Sequence, residues 1–423
     1  MTQGLQREEF WYRGLALKDL LTKGSIPILL GTGGVGKTTI AAALALAGAS
    51  ANLNTAVITV DPSKRLRDAL GLARLGGQPT RIGARQLAAA GLDPYLQLSA
   101  MMLDVSGAWD AIVERFVADP ATRRKVFDNP FYKSLTAEFA GSEAFAALQR
   151  LYDLHQTGAF ELEVVDTPPA SHSFEFLQTP ARLIRLLDSR TARWLFTPSL
   201  SASRIAMKVA SNAARFVVRE IERFAGSNVL STITDFFAAM AESMDGIIDR
   251  LQKTEALLHS PAVKFVMVTT AEPDRIRQAR ELLTQMEAEG LKLSAIVINR
   301  FLDERTWSAV ADSTDPLSHL AEISELRSSL AKDGADANGF GRLVRHFEAY
   351  RDRTLDDIRR VAAFAHELPK GVKLAIAPEI ETGVRDLAAL SRVASYLTSG
   401  TSILKPLESA ARSMHDARKL NVP

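Results

Sequence analysis

Apolar runs of strand length punctuate the chain. Ile26–Leu30, Ala56–Val60, Leu162–Val165 and Lys264–Thr270 are bounded by turn or functional residues and read as buried parallel strands. Ser294–Ile298 and Val372–Ala377 add two more. Strand-then-helix alternation predicts an α/β fold, a doubly wound, mostly parallel sheet with helices on both faces. The intervals Gly76–Phe160 and Arg182–Leu258 carry no convincing strand, but their apolar residues recur at helical spacing. Ile205, Val209, Phe216, Ile221 and Phe224 form one stripe, and Ile233, Phe236, Met240, Met244, Ile247 and Leu251 another. These stretches predict helical insertions that build a subdomain beside the sheet. Glu304–Leu368 predicts further helix, with a loop at Lys332–Gly341 where Gly, Asp and Asn cluster. The resulting plan is one domain over residues 1–423, with a core of about 24–75, 155–180, 260–300 and 370–400. Helical insertions fill about 76–154, 181–258 and 301–368.

Charge narrows the function. Lys and Arg number 51 against 49 Asp and Glu, a net charge of +2 that excludes a polybasic nucleic-acid coat or an acidic tail, so no nucleic-acid partner is expected. No cysteine is present, which excludes disulfides, thiolate zinc sites and a catalytic thiol; a metal must be bound through oxygen or the seven histidines. Met1–Lys23 mixes acidic, basic and aromatic residues and builds no apolar signal region. The longest apolar stretch, Ile40–Ala49, falls short of the roughly 20 residues a membrane span needs. The expectation is a cytoplasmic protein without a transmembrane segment, whose membrane role, if it has one, is peripheral.

The chemistry concentrates after the first strand. Gly31-Thr32-Gly33-Gly34-Val35-Gly36-Lys37-Thr38-Thr39 fits G-x-x-x-x-G-K-[ST], and a helix-forming run follows from Ile40. Glycines let consecutive N–H groups converge on phosphate oxygens, and the following helix adds its N-terminal partial charge. Gly33, Gly34, Val35, Gly36, Lys37, Thr38 and Thr39 are thus candidate nucleotide ligands, with Lys37 bridging the β- and γ-phosphates and the Thr38 hydroxyl ligating Mg²⁺. A Gly-rich turn that binds nothing would explain neither Lys37 nor Thr38.

Two acidic strand ends extend the site. The second strand ends in Asp61-Pro62 and the third in Asp166-Thr167-Pro168-Pro169. In a parallel sheet all carboxyl ends face the same way, so both aspartates can reach the phosphate crevice. Asp166 suits support of Mg²⁺ through water, and Asp61 suits polarising the attacking water. Each aspartate alone also fits a turn cap before proline.

With these residues the sequence resembles the ArsA family of ATPases, which includes the arsenite-pump ATPase and the targeting ATPase for tail-anchored membrane proteins. The matching pieces are Gly31–Thr39, then Asp61-Pro62-Ser63-Lys64-Arg65-Leu66-Arg67-Asp68 in the place of the first switch, then Asp166–Ser173, with Pro169 and His172, in the place of the second. Val297-Ile298-Asn299-Arg300 is similar to the family segment whose asparagine recognises adenine. The resemblance runs from about Ile26 to about Leu397 and is closest to a bacterial subgroup named for anion transport. It implies an ATP- and Mg²⁺-dependent switch that works as a dimer and gates binding by a helical subdomain.

Departures from the family pattern sharpen these expectations. The family carries a second lysine directly after the first glycine, where this chain has Thr32. A partner subunit can supply that lysine in a heterodimer, Lys64 or Arg65 can replace it, or hydrolysis is slow and the chain mainly senses nucleotide. Lys64 and Arg65 also fit solvated charges at a helix start. Without cysteine the chain can neither capture trivalent arsenic through thiolates nor clamp zinc with a Cys-x-x-Cys pair. The histidines, His155, His172, His259, His319, His346, His366 and His415, show no i,i+4 pair, and only His172 falls in a switch. The family's targeting members hold a client's transmembrane helix in an apolar groove. Met207, Met240 and Met244 are candidates for such a groove, and for an apolar-helix or membrane-protein client, although an amphipathic stripe more commonly serves its own core.

Overall fold

A computed structural model describes residues 17–60, 64–103, 108–138, 142–167, 177–178, 180–181, 184–185, 228–303, 337–380 and 383–398. The chain divides into two compact units, one of residues Met1–Met102, Phe160–Ala170 and Pro261–Pro423, the other of Leu103–Ala159 and Ser171–Ser260.

The first unit is built on an eight-stranded sheet. In chain order its elements are β1 (Ile26–Leu30), α1 (Lys37–Ser50), β2 (Thr55–Thr59), α2 (Arg65–Ala69), β3 (Thr80–Arg81), α3 (Ala84–Ala89) and β4 (Leu98–Met102). The second unit interrupts it with α4 (Ala108–Phe116), α5 (Pro120–Asp128), α6 (Pro130–Glu138) and α7 (Ser142–Thr157). After β5 (Leu162–Asp166) that unit resumes with α8 (Asn228–Met240) and α9 (Met244–Leu258). The sheet unit closes with β6 (Val263–Thr269), α10 (Pro273–Ala288), β7 (Leu293–Asp303), α11 (Ala337–Glu367), β8 (Lys373–Glu379) and α12 (Leu387–Thr398).

Strand order is β3-β4-β2-β5-β1-β6-β7-β8, parallel except for the β3–β4 pair. β1 lies between β5 and β6, with Leu29 opposite Asp166 and Leu30 opposite Met267. Both flanking strands are reached by long crossovers, so three carboxyl ends that are distant in sequence converge on one crevice. Alternate residues of the strands, among them Leu29, Val57, Val164, Val266 and Val297, join one core cluster with α1 and α12. Their neighbours Phe265, Met267, Ile296 and Ile298 point the other way, as a pleated strand requires, and α10 and α11 pack against β6 and β7.

Six strands stand where the apolar runs place them. The interval read as strandless, Gly76–Phe160, instead contains β3 and β4, and the sheet unit extends to Met102 rather than to about residue 75. β4 reads Leu-Ser-Ala-Met-Met, weak in β-branched residues, and it exists because it pairs with β2 from Thr55–Leu98 to Thr59–Met102. Of the loop expected at Lys332–Gly341, residues 337–341 are helical, and residues 332–336 lie outside the described residues.

In the helical unit, the stripe Phe236, Met240 and Met244 packs with Val113, Val117, Val126 and Tyr132 as that unit's own core. Among the described residues Met240 and Met244 are buried in this core. Met207 and the stripe Ile205–Phe224 lie outside the described residues. Arg250 fastens α9 to α7 by bonds to Gln149 Oε1 at 2.6 Å and Asp153 at 2.8 Å, and Tyr132 donates to Asp110 Oδ1 at 2.5 Å.

Candidate phosphate and nucleotide site

The loop from Gly31 to Gly36 joins β1 to α1 in a conformation only glycine tolerates at two of its corners. Gly31 has φ +148°, and a Cβ there would lie 2.2 Å from the Val268 carbonyl oxygen of β6. Gly36 has φ +91°, and a Cβ there would lie 2.2 Å from Asn299 Nδ2. The loop is thus pressed between its own helix and the ends of β6 and β7. The Asn299 amide, 5% exposed, donates to the Val35 carbonyl at 2.8 Å and fixes the loop from behind. Its neighbour Arg300 adopts φ +53°, and the β7–β8 register shifts beyond Asn299.

Lys37 opens α1 and is buried. Its ammonium donates to the carbonyls of Gly31 at 2.9 Å and Thr32 at 3.2 Å, which folds the loop into a ring around it. The helix start has no acidic residue in its first turn and no side-chain cap. Its first N–H groups have no intrahelical acceptors and point toward the place an anion would occupy.

Thr38 joins this cradle to the sheet. Its hydroxyl donates to Asp166 Oδ2 at 2.7 Å, and the same oxygen accepts from the Thr59 hydroxyl at 3.1 Å. Asp166 is 1% exposed at the end of β5. Thr167 follows it and donates to the Leu29 carbonyl at 2.5 Å, tying the end of β5 to β1. The Thr38 hydroxyl and Asp166 carboxylate are hard oxygen donors side by side, a set that fits Mg²⁺, which takes few protein ligands and keeps much of its water. Among the described residues no group of three His, Asp or Glu could hold a metal by itself.

Lys37, Thr38, Asp166 and Asn299 therefore gather around one loop. Asp61, Pro169 and His172 lie outside the described residues. Lys64 caps α2, and Lys64 and Arg65 are exposed there. Arg67 donates to Asp68 Oδ1 at 2.6 and 2.8 Å. Among the described residues no hydrogen bond joins Lys64 or Arg65 to the phosphate loop. Three participants escaped the sequence reading: Thr59, Thr167 and Arg275, whose Nη1 donates to Thr32 Oγ1 at 3.2 Å. Thr59 and Thr167 had a signal, since they flank the acidic strand ends. Arg275 had none, because its contact spans 243 residues.

Residues 26–315 match the family model for anion-transporting ATPases. The chain belongs to the ArsA ATPase family. It is similar to proteins named as arsenical pump-driving ATPases from Prosthecochloris vibrioformis, 25% identical over 80% of this chain and 73% of the relative, and from Chlorobaculum tepidum, 24% identical over the same shares. A protein named ATPase GET3 from Malassezia globosa is 23% identical over 68% of this chain and 76% of its own length. The ArsA family membership agrees with the mostly parallel sheet and its glycine loop. No helix among the described residues is long and apolar enough to cross a membrane.

Proposed function

We propose that this chain is a Mg²⁺-dependent switch ATPase of the ArsA type, which binds and hydrolyses ATP and thereby opens and closes a dimer that gates binding by the helical unit. The observation that carries the reading is the Thr38–Asp166 bond beside the ring that Lys37 closes. An ammonium, a set of helix-start amides and two oxygen donors at one crevice suit a nucleoside polyphosphate with its cation, and a merely structural turn would need none of them.

In this reading the N–H groups of Gly33, Gly34, Val35 and Gly36 cradle the phosphates, and those of Thr38 and Thr39 add the charge of the helix start. Lys37 exchanges its loop carbonyls for phosphate oxygens. Thr38 would hold the Mg²⁺ directly and Asp166 would hold it through a bound water. Once bound, the cation neutralises charge that develops on the phosphate oxygens. Asp61 orients the attacking water and accepts its proton. Asn299 keeps one N–H on Val35 and offers its Oδ1 and second N–H to the adenine edge. Asp68, Lys64, Arg65, Pro169 and His172 belong to the segments that would transmit the change of nucleotide. The gated partner would be an apolar helix or a membrane-protein client. The packing of Phe236, Met240 and Met244 into the helical unit's own core supports a client surface elsewhere on that unit.

A second reading is favoured by Thr32 at the place of the family lysine: a nucleotide-sensing subunit of weak intrinsic activity that works in a heterodimer with a lysine-bearing relative. Steady-state ATP hydrolysis with Mg²⁺, beside Asp61→Asn and Lys37→Ala and with oligomeric state recorded in the same buffer, tests both. Turnover that collapses in both variants supports the self-sufficient switch. ATP binding without turnover transfers the case to the heterodimer, and no binding at all refutes both.

A further inference from the structure

Arg275 occupies a position that its own helix does not favour. It sits in the first turn of α10, where the helix N-terminus carries partial positive charge and a cation is disfavoured. Its guanidinium is held loosely. Nη1 donates to Thr32 Oγ1 at 3.2 Å and to Gln278 Oε1 at 3.2 Å, and Nε lies 3.7 Å from Glu272 Oε2. All three contacts are at or beyond the long end of the hydrogen-bond range. Among the described residues Nη2 bonds to nothing, and the side chain is 33% exposed. In contrast, the backbone that carries it is fixed, because the Arg275 carbonyl accepts from the Thr269 hydroxyl at 3.2 Å.

The place it reaches is specific. Lys37 bonds the carbonyls of both Gly31 and Thr32, so Thr32 lies at the end of the loop where that lysine would meet the β- and γ-phosphates. The sheet order brings Arg275 there: β6 is the direct neighbour of β1, and α10 begins four residues after β6 ends. A planar fork with donors to spare, one hydrogen bond from a phosphate loop, matches a terminal phosphoryl group better than it matches the two neutral oxygens and the carboxylate at 3.7 Å that now hold it.

We infer that Arg275 is a catalytic arginine supplied within the chain, which leaves Thr32 and Gln278 to bind the γ-phosphate of a nucleoside triphosphate and to stabilise charge on it during transfer. The inference rests on the ATP-binding reading above and supplies from α10 a second cation, the role for which the sequence offered a partner subunit's lysine or, in this chain, Lys64 or Arg65. It also assigns Thr32 a role, that of parking the guanidinium when no γ-phosphate is present.

The test uses the full chain with Mg²⁺ and calorimetric titration of ADP and of a non-hydrolysable ATP analogue, beside steady-state turnover. Arg275→Gln keeps a donor for Thr32 but removes the charge, and Arg275→Lys keeps the charge but removes the fork. The expected result for Arg275→Gln is a loss of roughly ten- to a hundredfold in affinity for the ATP analogue, the range for a hydrogen bond to a charged group, with ADP affinity unchanged. Arg275→Lys falls between it and the parent, and turnover follows the same order. Equal losses for ADP and the ATP analogue would assign Arg275 to propping the loop and overturn the inference, as would unchanged affinity and turnover. A parent protein that binds neither nucleotide refutes the ATP reading itself and this inference with it.

Discussion

Replacing Gly36 by alanine tests how the loop is held. Two costs add in the single variant. The backbone sits at φ +91°, and a left-handed conformation costs a residue with a Cβ about 1–2 kcal/mol. The new methyl would also lie 2.2 Å from Asn299 Nδ2, so the amide must move and release Val35 O. Breaking that buried bond costs about 1–3 kcal/mol, because both groups are then left without a partner away from water. The sum is a loss of about 2–5 kcal/mol. Asn299→Ala alone should cost the second amount only. In the double variant the methyl has room and the bond is already gone, so the second cost is counted once. The cycle should therefore depart from additivity by about 1–3 kcal/mol, in the direction of a milder double variant. Urea unfolding of the four proteins without nucleotide, followed by far-UV circular dichroism, measures each term. Additive losses, or a Gly36→Ala protein as stable as the parent, would refute the claim that Asn299 and the loop are in register at that point.

Other consequences can be checked more briefly. Asp166→Asn keeps the size of the side chain but weakens the cation's support, and should lower Mg²⁺ affinity or turnover by roughly ten- to a hundredfold, read from a Mg²⁺ titration of ATPase rate. Tyr132→Phe removes the bond to exposed Asp110 and should destabilise the helical unit by about 1 kcal/mol, seen as a lower melting temperature. Burial first, and then the bond to Asp110, raise the Tyr132 phenol well above its usual range. The unfolded chain therefore ionises first, and the stability this group contributes is whole below about pH 10 and is lost as pH rises beyond it. A melting temperature of the Tyr132→Phe protein that falls as steeply at alkaline pH as the parent's would contradict this. Leu251→Ala empties a fully buried site on α9 and should cost about 2–5 kcal/mol in urea unfolding.

Legibility in the sequence followed the range of the forces involved. Ile26–Leu30 and Leu162–Val165 could be read because they are apolar runs ended by residues with their own chemistry, and parallel order alone then brought Asp166 to Thr38. β4 was illegible because its residues are ordinary and its partner β2 makes it a strand. The partner of Met240 and Met244 could not be read either, since periodicity marks an apolar face without saying what covers it. The Thr32–Arg275 contact has no local trace. Thr32 stood out as a departure, yet only the adjacency of β1 and β6 shows which cation lies next to it.

The position of β1 in the sheet also bears on how the protein is made. Its two neighbours are β5, which begins at Leu162, and β6, which begins at Val263. A ribosome that adds about 5–20 residues each second needs on the order of ten seconds or more between releasing β1 and releasing β6. Throughout that interval an apolar strand that ends fully buried has at least one open edge, the condition under which nascent chains pair wrongly. Synthesis of this protein should therefore depend on holding factors that shield β1 until β6 emerges, and chains that stop short of Val263 should accumulate as aggregates.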